Sequence, residues 1–100
     1  MKKIIFYMGL QDKNTRTELI NYNEACKIIA NRLDIFTIQQ AQGCYQYNDG
    51  TLCKENTLIV TVFADYSDRY IQVLVKNFKL DFNQESIGVE VIENCNISFI

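Results

Sequence analysis

Near the start of the chain Ile4, Phe6 and Met8 alternate with Ile5, Tyr7 and Gly9, a period of two with apolar groups in both phases. That pattern predicts a strand covered on both faces and central in its sheet. Thr15-Arg16-Thr17-Glu18 follows a short loop and has the form of a capping box, so a helix is expected to start there. Its apolar stripe is Leu19, Tyr22, Cys26, Ile29 and Leu33 at alternating spacings of three and four, which places Cys26 in the core. From Phe36 to Tyr47 β-formers mix with glutamines, and the alternation loses phase near Gln40 to Gly43, the sign of a bulge at Gly43. Asn48-Asp49-Gly50 is the strongest turn signal, because positive φ suits these residues, and it predicts a hairpin.

Leu58, Val60, Val62 and Ala64 alternate with Ile59, Thr61 and Phe63 in the next strand, after which Asp65 or Ser67 caps a second helix with the stripe Ile71, Leu74, Phe78 and Phe82. A last strand carries Ile87, Val89 and Val91 on one face, and the tail from Cys95 to Ile100 is expected to add a short edge strand. The order is βαββαβ, an α+β ferredoxin-like arrangement. Two right-handed crossovers give an antiparallel four-stranded sheet with both helices on one face. At 100 residues the chain is one domain, residues 1–100.

The face away from the helices presents Ile5, Tyr7, Ile59, Phe63 and Ile92 among Thr61, Gln39 and Glu90, too apolar for plain solvent surface. Packing of sheet against sheet in a homo-oligomer is the expected cover. A flat ligand, or the tail from Ile97 to Ile100 folded back, would serve the same end. The same topology turns three loops, 9–15, 47–55 and 82–86, toward one end. They bring together Gln11, Asp12, Asp49, Glu55, Gln84 and Glu85, with Tyr45 and Tyr47 on the hairpin, as a candidate site for a small polar ligand, a nucleotide among the candidates. The plainer reading gives Asp49 to the turn, pairs Glu55 with Lys54 or Lys13, and lets Gln84 cap backbone groups.

Composition narrows the chemistry. No histidine occurs, which excludes histidine-based triads and zinc sites. Four cysteines, Cys26, Cys44, Cys53 and Cys95, lack C-x-x-C spacing and read as structural thiols of a reducing compartment. No metal site and no cofactor are expected. A net charge of −2 and a pI near 5.0 argue against duplex nucleic acid. The third strand lacks the basic residue and spaced aromatics of an RNA-binding sheet. No apolar run approaches the roughly 20 residues that cross a bilayer, so a soluble, cytoplasmic protein without a membrane partner is expected.

Gly43-x-Tyr45-x-x-x-Asp49-Gly50-Thr51, with Glu55-Asn56-Thr57 and Phe82-x-Gln84-Glu85-Ser86-Ile87 downstream and Tyr7-x-Gly9-Leu10 upstream, resembles the pattern of a small family of uncharacterised bacterial and phage domains. The resemblance spans most of the chain and implies no set activity. With it, the residues favour a non-catalytic, oligomeric binding module that holds a partner protein or a small polar ligand. Its concrete form is a phage or mobile-element inhibitor that caps a host defence protein or sequesters a nucleotide signal. No residue is assigned a catalytic role in that reading. The alternative is a small dimeric α+β-barrel enzyme that uses carboxylate or tyrosine chemistry on a polar small molecule.

Overall fold

A computed structural model describes all of residues 1–100. Six elements follow in the expected order: β1 (Lys2–Gly9), α1 (Tyr22–Ala30), β2 (Thr37–Gln46), β3 (Leu52–Ala64), α2 (Asp68–Asp81) and β4 (Gly88–Ile92). The sheet runs β2-β3-β1-β4 with every neighbouring pair antiparallel. This is the ferredoxin-like α+β architecture, with β1 central as its two apolar faces require.

One core lies between sheet and helices. Ile4, Phe6 and Met8 of β1 and Leu58, Val60 and Val62 of β3 meet Ala25 and Ile29 of α1 and Ile71, Leu74 and Phe78 of α2. Phe6 and Phe78 pack edge to face at 5.3 Å, and both are fully buried. Truncating such a phenylalanine to alanine costs about 3–5 kcal/mol, a large share of the roughly 5–15 kcal/mol that holds a small domain together. No polar or charged residue is buried in this core.

Several local expectations are corrected. The first helix begins at Asn21, not Thr15: the Asn21 side chain accepts from the Glu24 amide while its own amide donates to the Glu24 carboxylate. The Thr15 segment stays a loop: the Thr15 hydroxyl engages the Thr17 amide and hydroxyl instead of the Glu18 amide, and Asp12 accepts from the Asn14 and Thr15 amides. Leu19 is consequently 63% exposed, and Cys26 sits at the margin of the core, with Ala25 taking the buried position.

Gly43 forms no bulge, since the β2–β3 register is unbroken from Thr37 opposite Thr61 to Gln46 opposite Leu52. β3 therefore starts at Leu52, not Leu58, and Glu55 belongs to a strand, not to a loop. Cys44 and Cys53 fall one step apart in that ladder, with side chains on opposite faces, and all four cysteines are free.

The tail adds no strand after β4. The Cys95 amide donates to the Met1 carbonyl and Phe99 lies edge-on to Phe63 at 5.8 Å, so the chain end folds back over one corner of the open face. Ile5, Tyr7, Ile59, Phe63 and Ile92 share that face, as the register requires. Ile5 is buried and Ile59 and Phe63 half-buried, while Tyr7 and Ile92 remain about two-fifths exposed. Overall dimensions of 46 × 27 × 26 Å reflect the β2–β3 hairpin, which extends past the helices as an arm. No helix is long and apolar enough to cross a membrane.

Candidate functional site

β1 ends at Gly9, and the chain then makes a loop that is tied down from both sides. Leu10 donates to the Asn56 carbonyl, Gln11 bridges to Glu18, and the Asp12 amide reaches the Thr17 carbonyl. The Asp12 carboxylate accepts from the Asn14 and Thr15 amides on one oxygen and from the Asn83 side chain on the other, the last at 2.6 Å. The Asn83 amide hydrogen bond, with the Asn14 amide behind it, holds the Asp12 carboxyl below its ordinary 3.8. Asp12 is thus occupied with structure: it joins the loop after β1 to the loop after α2.

The second loop is equally fixed. Asn83 takes a left-handed conformation (φ 47°) just beyond α2, which asparagine tolerates. Its carbonyl accepts from the Lys13 amide. Gln84 follows, and its side-chain nitrogen donates to the carbonyls of Gln11 and Phe82. Both hydrogens of that amide are spent on backbone, which fixes the Gln84 Oε1 atom in direction while leaving it without a donor of its own.

Glu55 arrives from β3 on the open-face side of the sheet. A Cβ on Gly9 would fall on the Glu55 Oε1 atom and come within 3.2 Å of Gln84 Oε1. Only glycine at position 9 leaves the Glu55 carboxylate its place beside Gln84. Glu55 forms no ion pair, so the expected pairing with Lys54 or Lys13 is not made.

The surrounding pocket is lined by Gln11, Asp12, Glu55, Gln84 and Glu85, together with Lys13, Arg16 and Ser86, and has no apolar wall. Five residues anticipated from sequence therefore come together. Asp49, Tyr45 and Tyr47 do not join them. Because β3 begins at Leu52, the hairpin carries its turn roughly 15–20 Å beyond Glu55, at about 3.3 Å per residue. There Asp49 accepts from the Thr51 amide at 2.8 Å, which lowers its carboxyl; Tyr45 lies nearer, opposite Cys53 on the face that carries Glu55, and meets Tyr47 edge to face at 5.4 Å. A contact with Cys53, then one with Tyr47, raises the Tyr45 phenol above its usual range.

Gly9, Lys13, Arg16 and Asn83 were not singled out for the site. Asn83, in a helix-ending position before Gln84, carried the one local signal that could have found it.

The fold has solved counterparts. One is a phage SAM lyase in complex with S-methyl-5'-thioadenosine, 23% identical, with 92% of this chain and 80% of that chain covered at a TM-score of 0.67. Another is a phage SAM lyase in its apo state, 22% identical, with 91% and 78% covered at a TM-score of 0.68. These neighbours correct the expectation of a non-catalytic module that caps a partner or sequesters a signal, since what shares this architecture is an enzyme with a small nucleoside bound. No curated protein matches the sequence. The expectation of an uncharacterised family is borne out: over residues 3–99 the chain matches, and belongs to, the family described as Protein of unknown function (DUF3574).

Proposed function

We propose that this chain is a small lyase that takes an adenosyl sulfonium such as S-adenosylmethionine and releases S-methyl-5'-thioadenosine. One observation carries the reading: the Glu55 and Gln84 side-chain oxygens both border the space that Gly9 leaves, and neither accepts a hydrogen bond within the chain. Two acceptors held together call for a ligand that brings hydrogen-bond donors and positive charge. S-adenosylmethionine brings ribose hydroxyls, an ammonium and a sulfonium. The shared fold of the phage SAM lyases supports the same choice.

The chemistry suits a chain without histidine. Releasing the thioether breaks the bond between sulfur and the amino-acid chain, and the bonding electron pair goes to sulfur, which loses its positive charge. The amino-acid fragment balances this by bonding its own carboxylate oxygen to the carbon that sulfur leaves, or by giving up a proton. In either course the protein's work is to hold the substrate and place its charges. Glu55 is the carboxylate in this role, with Gln84 as the second acceptor and Gln11 and Asp12 positioning both loops.

Assembly across the open sheet face, through Ile5, Tyr7, Ile59, Phe63 and Ile92, is the second part of the proposal. It rests on the apolar surface that the tail leaves uncovered. Sedimentation of the wild type should give an oligomer and Ile59→Lys a folded monomer; a wild type that sediments as a monomer at high concentration overturns this part.

Incubation of the protein with S-adenosylmethionine, followed by mass spectrometry, tests the activity. S-methyl-5'-thioadenosine should appear, and Glu55→Gln should lower its rate at least ~100-fold without changing the melting temperature. A wild type that releases none, with the substrate intact, overturns the reading.

A further inference from the structure

Beside the acidic pocket lies a wider groove, about 370 Å³, of opposite charge. Lys76 and Lys79 stand one turn apart on α2, and Lys13 joins them from the loop after β1, brought there by its amide bond to the Asn83 carbonyl. None of the three is in an ion pair. Lysines near a helix C-terminus are ordinarily explained by the helix dipole. That accounts for Lys79, in the last turn of α2, but not for Lys13, which belongs to a separate element far away in sequence. Three unpaired lysines line one groove, so an anion placed there meets positive charge from two separate elements.

Glu85 lines the same groove and is its one carboxylate. Three ammonium groups with one carboxylate complement a zwitterion in which a carboxylate is the dominant handle and an amine sits beside it. That is the head group of an α-amino acid. Lys13, Gln84 and Glu85 also line the acidic pocket, so the two spaces adjoin along a shared rim and one ligand can reach from one to the other.

We infer that the Lys13, Lys76 and Lys79 groove binds the α-carboxylate of the substrate's amino-acid end while the acidic pocket holds the rest. This rests on the lyase reading and adds the means by which an intact substrate is told from its nucleoside product, which has no carboxylate. Lys76 and Lys79 are specificity residues here, without contact to the bond that breaks.

Calorimetric titration with three adenosyl compounds tests the inference: S-adenosylhomocysteine, its decarboxylated analogue, and S-methyl-5'-thioadenosine. The wild type should bind the first at least ~10-fold more tightly than the second, and 0.5 M salt should shrink the difference. The double variant Lys76→Ala/Lys79→Ala should reduce the preference to about twofold or less, leave the affinity for S-methyl-5'-thioadenosine unchanged, and recover the preference when both positions are arginine. Equal affinity of the wild type for the first two compounds, or a preference that survives the double variant, overturns the groove's role and leaves the lyase reading standing. Failure of all three to bind overturns both.

Discussion

The polar pole around Gly9 and the tip of the β2–β3 arm look alike in sequence, each with Gln, Asp and Asn close to a glycine, yet they are built differently. At the pole long-range bonds are added to the local ones: Asn83 donates to Asp12 and Gln84 to the Gln11 carbonyl, across more than seventy residues of chain. At the tip every bond is local: Tyr47 with Thr51, Asp49 with Thr51, Gln46 with Gly50. Local bonds shape a turn and leave its side chains exposed. Long-range bonds fix two loops against each other and aim the remaining oxygens, those of Glu55 and Gln84, into a shared space. Preorganised acceptors of this kind are what a ligand site needs and a hairpin turn does not.

This contrast can be broken or sharpened by substitution. The largest effect is expected from Gly9→Val, whose side chain takes the place of the Glu55 carboxylate. Release of S-methyl-5'-thioadenosine should fall on the order of 100-fold, measured with circular dichroism to establish that the sheet is intact. An unchanged rate would show that the Glu55 position does not matter.

Next comes Asp12→Asn, which weakens the bond that joins the two loops. It should lower both the melting temperature, by several degrees, and ligand affinity. Its pH behaviour has a definite sign. The folded carboxyl titrates below 3.8, so its contribution is fully present above that pH and is lost as pH falls through the lowered value. Thermal melts from pH 7 to pH 2 should therefore show Asp12→Asn with a shallower acid limb than the wild type, and identical limbs would count against the assignment.

Asp49→Ala, at the tip, should cost only a degree or two of melting temperature and leave ligand affinity alone, although its carboxyl is lowered in the same sense by the Thr51 amide. Smallest of all, the pair Tyr45→Ala and Tyr47→Ala should leave the folding of the isolated chain within about 1 °C, because the rings contact each other and not the core. A large loss of stability there would mean that the arm is more than a local structure.

The sequence by itself determined the order of elements, the two faces of the sheet and the identity of the core, because periods of two and of three to four are local properties of the chain and burial follows them. Phe6, Val60, Leu74 and Phe78 are where alternation and helical spacing put them. It also supplied Gln11, Asp12, Glu55, Gln84 and Glu85 as neighbours, since topology alone turns those segments to one end.

Only the tertiary structure decided which of them are free to act. Thr15-Arg16-Thr17-Glu18 had the form of a helix start, but Asp12 captured the Thr15 amide, the Thr15 hydroxyl turned to Thr17, and Glu18 was drawn into a bridge with Gln11. Glu55 looked like a loop residue until an unbroken register made it part of a strand, and the same register carries Asp49 out to the tip of the arm. The competition of one carboxylate among several donors, and the fit of two oxygens into the space beside Gly9, depend on groups dozens of residues apart. No local pattern carries that information, because it exists only once the loops are docked.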